Sequence, residues 1–199
     1  MKVIIMKECG YEESLYGLSL SFKDREVPFK DWWTEDRKNK LYKLVKSQHN
    51  RDGGHNKFLE SINMWIEIEA PRGFWQEYDT YRVGVTKQSD STMHTIQNRP
   101  LTLLDCEYGT DQRIIDIFNE ILKQETNNFI EKSLLVGDSL ERVKWNLPEG
   151  FLQTRLVCVN YKTLRNMFLQ RKKHRLKQWH TFIDNIRLQC EHPELLPEI

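Results

Sequence analysis

The nine residues Ser61 to Glu69, SINMWIEIE, constrain the fold more than any other stretch. Ile62, Met64, Ile66 and Ile68 alternate with Asn63, Trp65, Glu67 and Glu69. Successive side chains of a strand point to opposite faces, so this period of two makes one face apolar and the other mixed. Ala70-Pro71 follows, and proline suits the first turn of a helix. Over residues 71–82, Phe74, Trp75, Tyr78 and Tyr81 recur at helical spacing, and Gly84 with the polar run after it ends that helix. A strand leading into a helix is therefore the central unit of this chain.

The flanking sequence extends the pattern. Residues 2–8 read as a strand, residues 11–20 as a short helix, and residues 23–33 as a loop around Pro28. Residues 34–48 begin with Thr34 and Asp36, which suit a helix start, and carry Leu41, Leu44 and Val45. The stretch NRDGGHN, 50–56, is a turn of conformationally permissive residues. The longest helical pattern spans 111–135, where Ile114, Ile115, Phe118, Ile121 and Leu122 share a face and Asp111 is the candidate cap. QTRLVCV, 153–159, suits a buried strand. Helices follow over 161–170 and 174–190, the second carrying Leu176, Trp179, Phe182, Ile183 and Ile186. The expected class is α+β: a mixed sheet with helices, in one domain over 1–199.

Composition excludes several function classes. The 199 residues are 39% hydrophobic and 11% aromatic, which fits a globular chain. The formal net charge is +1, so attraction for an anion must come from local clusters. Cys9, Cys106, Cys158 and Cys190 are far apart and form no CxxC pair, and the histidines show no H-x-x-H or HExxH spacing. Neither a disulfide framework nor a metal site is expected. The apolar run VIIM is too short for a signal or spanning segment. The expectation is a soluble cytoplasmic protein without membrane association or a nucleic-acid partner.

Three polar clusters lie at the edges of these elements. The first is GGHNKFLE, 53–60, with His55 in a glycine turn and Glu60 before the strand. The second is TYRVGVTKQSDS, 80–91. The third runs from Asn160 through Lys162, Asn166 and Arg171 to Arg175. Each has a plain structural reading. His55 suits a turn. TYRVGVTKQSDS suits a polar loop or edge strand. Asn160 and Asn166 suit a cap and a turn, and QRKKHRLK, 170–177, a solvated helix face. Trp32, Trp33, Trp75 and Trp179 suit core or interface positions.

Taken in order, the clusters resemble the flavin-dependent thymidylate synthase family. Gly54, His55, Phe58 and Glu60 match its first motif. Counting without a gap from Ala70-Pro71, the family's Arg-His-Arg falls on Thr80, Tyr81 and Arg82. Counting from Leu147-Pro148, its N-x-R-S-L-x-N falls on Asn160, Lys162, Thr163, Leu164 and Asn166. The likeness covers roughly residues 50–95 and 140–180.

The resemblance implies FAD-dependent homotetramers that methylate C5 of deoxyuridine monophosphate. The carbon comes from methylenetetrahydrofolate and the hydride from flavin recharged by NADPH, and no protein cysteine attacks the base. His55, Arg82, Asn160, Lys162, Asn166 and Arg175 or His174 then fall on flavin-facing positions. Glu77, Gln88, Ser89, Asp90, Ser91, Lys144 and Arg171 fall on nucleotide-facing ones. Arginine suits a phosphate through its planar fork, and Lys144 keeps the charge without the fork.

The chain also departs from the pattern. Thr80-Tyr81 stands for Arg-His, Gln88 for Glu, Asp90 for the nucleotide-binding Ser, and Thr92 for the final Arg; a one-residue slip puts Ser89 or Ser91 at the hydroxyl position. Retention of FAD and the identity of the pyrimidine are left open. Two alternatives stand beside the synthase reading: a nucleotide hydroxymethylase without the hydride step, and a non-catalytic nucleotide-binding relative.

Overall fold

The computed structural model of the chain describes residues 1–20, 28, 31, 33–48, 51, 53–127 and 137–198. The elements in order are β1 (Lys2–Cys9), α1 (Tyr11–Ser19), α2 (Glu35–Gln48), a 3-10 segment (Gly53–Glu60), β2 (Asn63–Pro71), α3 (Arg72–Tyr78) and β3 (Val85–Ser89). Then come α4 (Thr92–Thr95), α5 (Gln112–Asn127), α6 (Gly137–Trp145), β4 (Leu152–Asn160), α7 (Tyr161–Arg171) and α8 (Lys177–Gln189), with short 3-10 turns at Leu103–Asp105 and Pro193–Leu195. The strands form one antiparallel sheet in the order β1-β2-β4-β3. The α+β class expected from the alternating and helical periods is the observed one.

By its contacts the chain forms two compact units. The first comprises Met1–Lys2, Ile68–Thr80 and Gln88–Arg155; the second comprises Val3–Glu67, Tyr81–Lys87 and Leu156–Ile199. In the first unit α5 packs on α6, and α4 packs on α6. Ile115, Phe118 and Leu122 of α5 bury against Leu140, Val143 and Leu147, with Ile96, Leu101 and Cys106 completing the cluster. Asp111 caps α5: its Oδ1 accepts the Arg113 N–H at 2.9 Å.

In the second unit α7 packs on the 53–60 segment and on α8, and α1 packs on both the 53–60 segment and α2. Met64 and Ile66 of β2 and Trp179, Phe182 and Ile186 of α8 are fully buried. Each such side chain contributes about 1.5–3 kcal/mol by leaving water. Thr34 starts α2, its hydroxyl accepting the Arg37 N–H at 3.4 Å. Gly10 sets the turn from β1 into α1 with φ 88°; a Cβ there would lie 2.3 Å from the Ser61 carbonyl oxygen, so no larger residue fits.

Three readings of the sequence need correction. The helix expected over 71–82 ends at Tyr78, where Asp79 N–H bonds the Trp75 carbonyl at 2.8 Å and Thr80 N–H that of Glu77 at 3.2 Å. Tyr81 is thus outside that helix, and its helical spacing is coincidental. Ile114 of α5 is 48% exposed and does not share the buried face. Of the two readings of TYRVGVTKQSDS, polar loop or edge strand, the strand holds over Val85–Ser89, since β3 lies at the end of the sheet order. Residues 53–56 begin a 3-10 segment that continues to Glu60. Most of the 23–33 loop, Trp32, part of the 50–56 turn and the 128–135 portion of the long helix lie outside the described residues. Among the described residues, no helix is long and apolar enough to cross a membrane.

Candidate functional site

In the second unit all three polar clusters meet on α7. Asn160 caps the helix: its Oδ1 accepts the Thr163 N–H at 2.9 Å. The segment Tyr81–Gly84 is laced along the same helix. Near the N-terminus, the Asn160 N–H bonds the Gly84 carbonyl at 3.0 Å, and the Thr163 hydroxyl donates to the Val83 carbonyl at 2.8 Å. Gly84 has φ 67°, and a Cβ on it would sit 2.3 Å from Asn160 Nδ2, so only glycine permits this approach. The 53–60 segment joins the helix through the Lys162 ammonium, which donates to Glu60 Oε1.

At the other end of α7, Arg171 sits in the last turn, where a cation complements the helix dipole. Its Nε–H donates to the Tyr81 hydroxyl oxygen at 2.9 Å, and that hydroxyl donates to Gln170 Oε1 at 2.9 Å. The guanidinium carbon lies 4.8 Å from the Trp179 ring centre and 5.5 Å from that of Tyr81. Trp179 meets Tyr81 edge-on at 5.9 Å and His174 edge-on at 6.4 Å. His174 Nδ1 accepts the Leu176 N–H at 3.1 Å, which leaves the ring proton of the neutral form on Nε2. His55, Arg82, Asn166 and Arg175 are exposed.

The nucleotide-facing candidates of the first unit divide. Lys144 lines a cleft of about 550 Å³ with Arg72, Met93, Glu141 and Trp145. Arg72 Nη1 donates to the Leu147 carbonyl at 2.7 Å, which fixes that side chain. Asp90 is used internally: its N–H bonds the Thr154 carbonyl at 3.0 Å, and its Oδ2 accepts the Thr154 N–H at 3.2 Å. Gln88, Ser89 and Ser91 are exposed. The Ser91 carbonyl accepts the Thr95 hydroxyl at 2.9 Å, and the Glu77 carbonyl accepts that of Thr80 at 2.7 Å.

Sequence reasoning missed Arg72, Trp145 and Arg155. Arg155 Nη1 donates to both Asp79 carboxylate oxygens at 3.0 Å, and its guanidinium lies 4.4 Å from the buried Trp75 ring. An arginine in a strand read as buried was the available signal, since a charge there requires a partner. Trp145, 75% exposed at the end of α6, had no periodic pattern to mark it. Burial pushes the thiols of Cys106 and Cys158 up, and that of Cys190 to about 11, so all three stay protonated at neutral pH.

No known family profile matches the sequence, and no curated protein does. The fold has solved counterparts. The flavin-dependent thymidylate synthase ThyX from Helicobacter pylori, complexed with FAD and dUMP, is 16% identical, with a TM-score of 0.72 over 98% of this chain and 98% of that one. A second structure of Helicobacter pylori ThyX with FAD and dUMP gives 16% identity and a TM-score of 0.74, over 98% and 97% of the two chains. The UMP/dUMP methylase PolB from Streptomyces cacaoi, bound with 5-Br dUMP, is 12% identical with a TM-score of 0.65, over 94% of this chain and 88% of that one. This chain resembles the flavin-dependent thymidylate synthases along nearly its whole length, and it has their fold.

Proposed function

We propose that the protein transfers a one-carbon unit from methylenetetrahydrofolate to C5 of a pyrimidine nucleotide, as a flavin-dependent thymidylate synthase does. The observation that carries the reading is the meeting of the 53–60, 81–84 and 160–171 clusters on α7, in a chain whose structural counterparts bind FAD with dUMP or are nucleotide methylases. In this reading Arg171 in one unit and the Arg72–Lys144 cleft in the other receive anionic parts of the ligands. Glu77, Gln88, Ser89 and Ser91 supply polar contacts to the nucleotide. Asp90 has one carboxylate oxygen, Oδ2, engaged by the Thr154 N–H. Thiols held protonated suit chemistry without a cysteine nucleophile.

The donor set fits a flavin in part. His55, Arg82, His174 and Arg175 offer a neutral edge and cations suited to an uncharged ring and a pyrophosphate. Asn166 is exposed on α7. Asn160 contributes only its NH2, because its Oδ1 caps the helix, and Lys162 is engaged by Glu60. Bound there, FAD would supply the hydride, with NADPH as its reductant. Assembly as a homotetramer belongs to the same proposal.

The test is an absorbance spectrum of the purified protein before and after adding FAD, followed by product mass after incubation with dUMP, methylenetetrahydrofolate and NADPH. A flavin spectrum with a methylated product is the expected result. A hydroxymethylated product would instead select the hydroxymethylase, the reading that Tyr81 in place of histidine favours. A protein that takes up no FAD and turns over no nucleotide would overturn the proposal.

A further inference from the structure

Helix α6 ends on a tryptophan that the packing of the first unit does not use. Leu140 and Val143 of α6 are buried, whereas Trp145 is 75% exposed. A single apolar side chain in water is ordinary, so its company decides what it means. The Trp145 ring stands in the wall of the cleft of about 550 Å³, with Arg72, Met93, Glu141 and Lys144. All five residues belong to the first unit. Lys144 and Trp145 follow Glu141 by three and four residues on α6, a spacing that sets side chains on one helix face. Met93 joins them from α4, which packs on α6. Its thioether adapts to aromatic surfaces.

The charges decide which ligand the cleft suits. Arg72 and Lys144 bring two cations, and Glu141 brings one carboxylate. Among the described residues, neither Lys144 nor Glu141 has an ion-pair partner, and Arg72 donates once, to the Leu147 carbonyl at 2.7 Å. The balance is one positive charge, a weak attraction for a bare anion in a hydrated cleft. The Glu141 carboxylate weakens it further, yet it can accept from an N–H of a ligand. Stacking on an indole supplies what the charges do not.

We propose that Trp145 is the specificity-determining residue of this cleft: its indole stacks on the planar ring of an aromatic anion whose charged group is held by Arg72 and Lys144. The inference rests on the one-carbon-transfer reading for which ligands are meant. Two of them share this chemistry, the pyrimidine nucleotide and the p-aminobenzoylglutamate half of the folate.

Wild type, Trp145→Phe, Trp145→Leu and Lys144→Met are titrated calorimetrically with dUMP, with p-aminobenzoylglutamate, and with deoxyribose 5-phosphate, which carries the nucleotide's anion and no base. Trp145→Leu is expected to lower the affinity for a ring-bearing probe about tenfold and to leave that for deoxyribose 5-phosphate unchanged. The probe that responds identifies the source of the ring. Trp145→Phe, which keeps a ring, should retain most of the affinity. Lys144→Met should weaken both that probe and deoxyribose 5-phosphate, because each presents an anion. Melting temperatures of the Trp145 variants should change little, since the side chain is exposed. Binding of the ring-bearing probe should quench tryptophan emission in wild type, and the quench should be lost in Trp145→Leu.

Equal binding of the ring-bearing probes by wild type and Trp145→Leu, or a loss that is the same with and without a ring, would overturn the inference and leave the anion site intact. Lys144→Met without effect on any probe, or a wild type that binds none of the three, would overturn the cleft as an anion site and the inference with it.

Discussion

Each unit sets an arginine over a buried tryptophan, and the two arginines are held by different chemistry. In the first unit Arg155 lies 4.4 Å from Trp75; its Nη1 donates to both Asp79 carboxylate oxygens, and its Nη2 and Nε donate to Gln153 Oε1. In the second Arg171 lies 4.8 Å from Trp179, and its Nε edge rests on the Tyr81 phenol. The Asp79 carboxylate meets the guanidinium's charge and the Gln153 amide oxygen its other edge, which makes Arg155 a structural strut. A phenol accepts from one donor and brings no charge of its own. The same pair of residue types is thus tied to a carboxylate in one place and to a neutral hydroxyl in the other.

The largest expected effect tests what the two arrangements share. Trp75→Ala and Trp179→Ala each remove a side chain that is at most 1% exposed, and each should cost about 3–5 kcal/mol in denaturant unfolding. A much smaller loss at either site would mean that the ring there is not a core wall. Next comes Gly84→Ala, which should cost about 2 kcal/mol because it forces a Cβ at positive φ into Asn160. If melting is unchanged, the lacing of Tyr81–Gly84 along α7 is wrong, and with it the placement of Tyr81 beside Arg171.

Asp79→Asn separates the two modes of holding. It should lower stability by about 1 kcal/mol, with the loss shrinking as salt is added, because an ion pair is being broken. Tyr81→Phe should show no such salt dependence of stability. A salt-independent Asp79→Asn would erase the distinction.

The smallest effect concerns pH. Asp105 is another carboxylate held by an arginine: its bond to Arg99, 2.8 Å from Nη1 to Oδ2, holds the acid down at about 2, below the ordinary 3.8. A depressed acid stabilises the folded state above its unfolded value and loses that contribution as pH falls through its folded one. Stability should therefore decline between about pH 4 and pH 2 from this group, and Arg99→Ala should flatten that part of a melting-temperature profile. An unaltered profile would show that the exposed pair is screened by solvent.

What could be read in advance follows from periodicity. β2, α7 and α8 were legible because each buries a regular stripe: Met64, Ile66 and Ile68 at a spacing of two, and Trp179, Phe182, Ile183 and Ile186 at helical spacing. β3 was legible only as one of two readings, polar loop or edge strand, because an edge strand of polar residues has no buried face to pattern. α6 was missed because nine residues carrying two buried positions, Leu140 and Val143, give too little signal. The end of α3 was missed because a tyrosine three residues past Tyr78 imitates another turn of helix. Within the candidate site, Arg171, Asn160 and the Tyr81 position were found by counting along the chain. Their actual partners were not, since Gln170, Thr163 and Gly84 are ordinary residues until the fold brings them together.

The chain alone fixed the element types, the α+β class, the glycines that turns require and the residues that carry charge. These are local properties, set by backbone sterics and the spacing of apolar groups. Tertiary structure decided which charges are spent and how. Asp90 went to a strand end, Lys162 to Glu60, Arg155 to Asp79 and Arg171 to a phenol. Whether a polar group meets a partner or a ligand depends on distances of about 3 Å between residues far apart in sequence, and only folding sets those distances.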